Sequence, residues 1–171
     1  MKTLKFFVRF VETISDRIGI IASVLIPAMT LVLFYEVIAR YVFDRPTIWA
    51  FDVAIFMFGY CGLLAGPCVL KRNEHINVDI VYNLFSPRGK AVLNVISGLL
   101  FFFFIVLVIL TCSEVAFSSI AFGDRRPSEW APPIGHYKLL IPIGAFFLLL
   151  QGMANWIRNL YLAITGKEFT L

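Results

Sequence analysis

The chain has 171 residues, of which 60% are hydrophobic and only 15% charged, and its formal net charge is +4. With a mean hydropathy of +0.85 it carries more apolar surface than one soluble core of this size can hide. That excludes a soluble enzyme, a disordered tail and a disulfide-rich secreted module, and it points to an integral membrane protein.

The first seventeen residues come before any apolar run. Leu4, Phe7, Val11, Ile14 and Ile18 recur at spacings of three and four, with Lys2, Lys5, Arg9 and Arg17 between them. This pattern predicts an amphipathic helix over 1–17 lying on the membrane surface. A cleaved signal peptide is not expected, because the following run is too long and no small-residue cleavage site closes it.

Four charge-poor runs follow, predicting helices over about 18–42, 48–70, 91–122 and 134–157. Each exceeds the 18 or so residues that cross a bilayer as a helix. None alternates polar and apolar residues as a barrel strand would. The expected fold is therefore an all-α membrane protein with four transmembrane helices, and 1–171 reads as a single membrane domain. The third run is too long for a hydrocarbon core of about 30 Å, so it should tilt or project on one side. Pro27 and Pro142 fall inside helices one and four, where a bundle tolerates them.

Basic residues set the orientation. Lys2, Lys5, Arg9, Arg17, Lys71, Arg72, Arg88, Lys90, Arg158 and Lys167 fall on one side, against Arg40, Arg45, Arg125, Arg126 and Lys138 on the other. Both termini are thus expected in the cytoplasm. Trp49, Trp130 and Trp156 lie near span ends, as an interfacial belt requires. The basic residues are scattered rather than gathered on one stripe, so no nucleic acid is expected.

Few residues are chemically capable. His75 and His136 are assigned to opposite sides and cannot share a haem or a metal. Cys61 and Cys68 are about 10 Å apart on one helix, too far for a bridge. No P-loop, nucleophile elbow or zinc-protease motif occurs. No catalytic residue, metal or cofactor is expected, and the chain does not read as an enzyme.

Glu36 and Arg40 share a face near the outer end of helix one, and Asp52 opens helix two, where the helix dipole favours an anion. With Glu114 and Lys138 they suggest a polar collar at one depth near the outer surface. Such residues serve either as a functional site or as interfacial anchors and ion pairs. Arg40 is expected between Glu36 and Asp52, because the connection over 42–47 is short. Gly59, Gly62 and Gly66 share a face of helix two, and Gly62-x-x-x-Gly66 is a small-residue packing motif, used within the chain or against a second protein. Between helices two and three, His75 and Asp79 lie one turn apart on a predicted short interfacial helix.

Arg40-Tyr41, Trp49-x-x-Asp52 and Lys71-Arg72-Asn73-Glu74-His75-Ile76-Asn77-Val78-Asp79 resemble the small membrane subunit of tripartite ATP-independent periplasmic (TRAP) transporters. The family's acid after the Trp is commonly Glu and is Asp52 here. Pro67 replaces a usual small residue, and Trp130-Ala131-Pro132-Pro133 matches only some branches. The resemblance implies a bacterial inner-membrane secondary transporter. Its large membrane subunit is expected to hold the substrate and sodium sites. A periplasmic substrate-binding protein delivers an organic acid anion. The small subunit, embedded in lipid, supports the large one. The rival reading is a self-sufficient homodimeric transporter using Glu36, Asp52 and Glu114. A redox-complex anchor would need a haem-ligating histidine well inside a span, and none falls there.

Overall fold

The structure, a computed structural model, describes residues 2–72 and 87–166. Among them are four helices, α1 (Lys2–Tyr41), α2 (Ala50–Lys71), α3 (Pro87–Phe122) and α4 (Gly135–Thr165). All four are long and apolar enough to cross a membrane. The fold is all-α, as the hydropathy requires. Pro27, Pro67 and Pro142 are each accommodated inside a helix.

The predicted boundary at residue 17 is not there. α1 runs unbroken for 40 residues, about 60 Å. Its amphipathic N-terminal part finds an apolar partner in α4. Val8 and Val11 are buried against Ala154, with Phe7, Leu150 and Ile157 packed around them. Glu12 pairs with Arg158 at 2.7 Å, and the Ser15 hydroxyl donates to Gln151 Oε1 at 2.7 Å. The predicted short helix around His75 and Asp79 lies outside the described residues.

α4 touches each of the other helices, α1 also packs on α2, and the main helix partner of α3 is α4. The register is readable from close contacts. Along the antiparallel α3–α4 pair, Gly98 faces Trp156, Phe101 faces Gly152, and Ile120 faces Gly135. Along the parallel α2–α4 pair, Leu63 faces Gly144 and Leu70 meets Asn155. Lys71 reaches Asp16 of α1 at 2.6 Å.

α2, with 22 residues, is about 33 Å long and matches one bilayer core. α1 before Asp16, α3 before about Gly98 and α4 beyond Asn155 all run past its Lys71 end, the inner end in the expected orientation. The excess length of α3 therefore projects on the side that holds both helical termini.

A run of polar side chains joins the helices near that inner end. Gln151, fully buried, accepts from Ser15 and donates through Nε2 to Asn155 Oδ1 at 3.0 Å. Asn155 Nδ2 donates to the Leu70 carbonyl at 2.8 Å. Asn159 donates to the Asn155 carbonyl, and its own Oδ1 accepts from Asn94 at 3.2 Å. Trp156 Nε1 donates to the Val95 carbonyl at 3.1 Å, so this tryptophan serves the α3–α4 contact.

Candidate functional site

The outer ends of the helices carry most of the charged residues that the sequence singles out. On α1, Glu36 is buried, and Arg40, one turn on, donates to its Oε1 from Nε at 3.0 Å and also from Nη2. The second carboxylate oxygen takes the Thr47 backbone N–H at 3.0 Å and the Thr47 hydroxyl. Glu36 thus ties the end of α1 to the α1–α2 connection, with Asp44 at φ 50° inside that turn. Trp49 precedes the first turn of α2 and stacks on Tyr35, with ring centroids 6.1 Å apart.

Asp52 lies in the first turn of α2 and is 2% exposed. Its partner is Arg126, whose Nε lies 2.9 Å from Oδ1. The Ser128 hydroxyl donates to Oδ2, and Ser128 Oγ accepts the Ala131 N–H at 3.2 Å. The expected Arg40–Asp52 contact is therefore corrected. Glu36 and Thr47 complete one site, while Asp52 turns toward the α3–α4 connection and closes another.

That connection, residues 123–134, is itself tightly bonded. The Arg126 N–H donates to the Pro132 carbonyl at 2.9 Å and the Ile134 N–H to the Asp124 carbonyl at 3.0 Å. Arg125 Nη1 reaches the Ala131 carbonyl at 3.1 Å. Gly123 and Ala131 supply positive φ at its bends. Lys138 reaches back from α4 to Asp124 at 2.9 Å. The Lys138 ammonium first, and the Ser119 hydroxyl second, hold the Asp124 carboxyl below its usual range, against the opposing push of partial burial.

Glu114 does not belong to this collar. It is exposed on α3, about 12 Å along the axis from Phe122, and pairs with neither Lys138 nor any other described residue. The α3–α4 and α2–α4 registers place it level with about residue 60, the middle of α2. The expectation of one common depth fails because Glu114 lies eight residues, more than two turns, below the outer end of α3.

The glycines of α2 also divide. A Cβ at Gly59 would overlap the Tyr137 ring, in a knot that Phe56, Tyr60 and His136 complete. A Cβ at Gly66 would only touch Leu148 at 3.6 Å, and one at Gly62 would meet nothing within 4 Å. The backbone approach that brings α2 to α4 lies at Gly144, where a Cβ would come within 3.2 Å of the Leu63 carbonyl. Among the described residues, Gly62-x-x-x-Gly66 is not a packing motif. His75 and Asp79 fall outside the described residues, so their pairing stays an expectation.

Thr47, Asp124, Arg126 and Ser128 are the partners that sequence reasoning missed. Asp124 and Lys138 face each other across one loop, 14 residues apart, and that spacing between two helix ends was the available signal. Among the described residues no three His, Cys, Asp or Glu side chains gather as a metal site would need. In chemical terms the collar neutralises carboxylates and fastens connections to helix ends.

Known proteins resemble parts of this sequence. The small permease protein DctQ of a C4-dicarboxylate TRAP transporter from Vibrio cholerae is 39% identical over 61 residues, 36% of this chain and 26% of that protein. The sialic acid TRAP transporter permease protein SiaT of Haemophilus influenzae is 27% identical over 103 residues, 60% of this chain and 15% of that protein. The matched part thus spans about a quarter or less of these two relatives. Residues 29–161, which run from mid-α1 to near the end of α4, match the family of tripartite ATP-independent periplasmic transporters, DctQ component. The chain belongs to that family, as a TRAP transporter small membrane subunit.

Proposed function

We propose that this chain is the scaffold subunit of a sodium-coupled importer of an organic acid anion, a carboxylate or sulfonate. In this reading a large permease subunit binds and moves the substrate, and a periplasmic binding protein delivers it. The chain sits in the bacterial inner membrane as a single domain with both termini cytoplasmic. Glu36, Arg40, Trp49, Asp52, Gly59 and Lys138 hold its own outer end in shape. C4-dicarboxylate and sialic acid, the substrates in the relatives' names, are both organic acid anions, which supports the substrate class. SiaT carries a segment like this chain as 15% of a longer permease, which supports a division of labour with more polypeptide.

The observation that carries the scaffold role is the pairing of the outer carboxylates. Glu36 is taken by Arg40 and Thr47, and Asp52 by Arg126 and Ser128. A self-sufficient transporter coupling through Glu36, Asp52 and Glu114 would need those oxygens open to an ion and close together. Two are closed by cations and hydroxyls, and the third lies well away.

Reconstitution in liposomes tests this. With an inward sodium gradient and the binding protein present, labelled C4-dicarboxylate and sialic acid are offered to this chain alone, to the large permease alone and to both. Uptake of at least one by the pair, and none by this chain alone, is expected. Sodium-dependent uptake by this chain alone would replace the scaffold reading with the homodimeric transporter.

A further inference from the structure

α3 is the helix with the fewest partners, and its outward face is patterned. Leu100, Phe103, Leu107, Leu110, Glu114 and Phe117 succeed one another at alternating steps of three and four, and all six are exposed. A 3.5-residue repeat is the seam along which one straight helix accepts another in a left-handed crossing. Phe104, Val106 and Val115 beside it are exposed as well, so its apolar positions alone suit lipid, but the charged residue within it does not. Glu114 stands level with the middle of α2, one turn from Leu110 and Phe117, with no partner among the described residues. A carboxylate at such depth is costly in hydrocarbon, and such groups pair with another charge inside a bundle.

We infer that this seam of α3 is the face on which the large permease docks, and that a basic side chain on one of its transmembrane helices pairs with Glu114. The inference rests on the proposed subunit role and adds the face and the charge. A second copy of this chain is the poorer occupant, since two-fold pairing along the seam would bring carboxylate toward carboxylate. A permease helix with an Arg or Lys at this depth supplies the charge that the seam lacks. A single polar position within an apolar heptad seam also fixes register, so Glu114 would set where along α3 the permease helix stops.

The test uses the co-expressed pair in native membranes. A photo-activated phenylalanine analogue is placed at Leu107 or Phe117 on the seam, and at Leu31, an exposed position on α1. In parallel, permease recovered with the tagged chain is compared for wild type, Glu114→Gln, and Glu129→Gln in the exposed α3–α4 connection. Expected are permease cross-links from both seam positions and none from Leu31. Recovery should fall at least fivefold for Glu114→Gln and stay within twofold for Glu129→Gln. The Glu114 side chain makes no hydrogen bond or ion pair among the described residues, so the melting temperature of the isolated Glu114→Gln chain should not move, which separates lost pairing from lost folding. Cross-links from Leu31 alone, seam cross-links to a second copy or to lipid only, or unchanged recovery of Glu114→Gln overturn the inference and leave the subunit role standing. If the wild-type pair does not co-purify at all, the subunit role itself falls, and the inference with it.

Discussion

At the scale of single residues, the outer end is a set of separate closures rather than one shared collar. Asp52 is nearly buried while the Arg126 side chain is 26% exposed. Removing Arg126 therefore leaves a buried carboxylate without its cation, and removing Asp52 takes away the anion that Arg126 pairs with. Asp52→Asn or Arg126→Gln should each lower stability by about 1.5–3 kcal/mol, the range for hydrogen bonds to charged groups. In a double-mutant cycle these two should be clearly non-additive, while Arg40→Ala with Asp52→Asn should add within about 0.5 kcal/mol. Thermal unfolding of the purified chain reads both. Asp124 makes a different forecast because its carboxyl titrates below the ordinary value near 3.8. A depressed carboxyl contributes stability that is complete above its unfolded value and is lost as pH falls through the folded one. Melting temperature should therefore drop more steeply below about pH 4 in wild type than in Asp124→Asn, with the two curves running parallel above pH 5. Asp52 was recognisable in the sequence as a helix-start anion, but its partner was not. Arg40 lies across the short α1–α2 connection and Arg126 far along the chain in the α3–α4 connection, and only tertiary packing brings the second to Asp52.

At the scale of elements, glycines on one helix are not equivalent. Gly59 lies under the Tyr137 ring, whereas Gly62 looks into open space. Gly59→Ala should cost about 1–3 kcal/mol through overpacking, and Gly62→Ala should stay within about 0.5 kcal/mol. Denaturation in detergent micelles separates them. The four spans themselves were legible, since length and hydropathy decide a transmembrane helix with little help from tertiary context. The N-terminal segment was less so. An amphipathic stripe announces that it needs an apolar neighbour without saying which, and Val8 and Val11 met α4 instead of the lipid surface. Glu114 was misplaced for a related reason. It sits eight residues below the end of its apolar run, and only the register of α3 against α4 shows how far from the outer ends of the other helices that places it.

At the scale of the whole molecule, the termini share one side and the charge bias assigns that side to the cytoplasm. In a cysteine-free background, Glu129→Cys should react with an impermeant thiol reagent from outside intact cells and Thr3→Cys should not. The reverse pattern would invert the protein in the membrane. The central position of α4 also bears on how the molecule is made. Membrane proteins are inserted from the N-terminus onward, and α4 follows α3 in the chain. When α3 has entered the bilayer, its main neighbour is still unmade. At that moment Ser15, Asn94 and the Leu70 carbonyl also lack the Gln151, Asn159 and Asn155 amides that later satisfy them. A ribosome stalled before Gly135 would thus leave these groups on separate surfaces near the inner end, without the α4 contacts they have in the finished chain. Those groups distinguish an unfinished chain from a finished one, and a membrane protease surveying new proteins could read them without any dedicated signal.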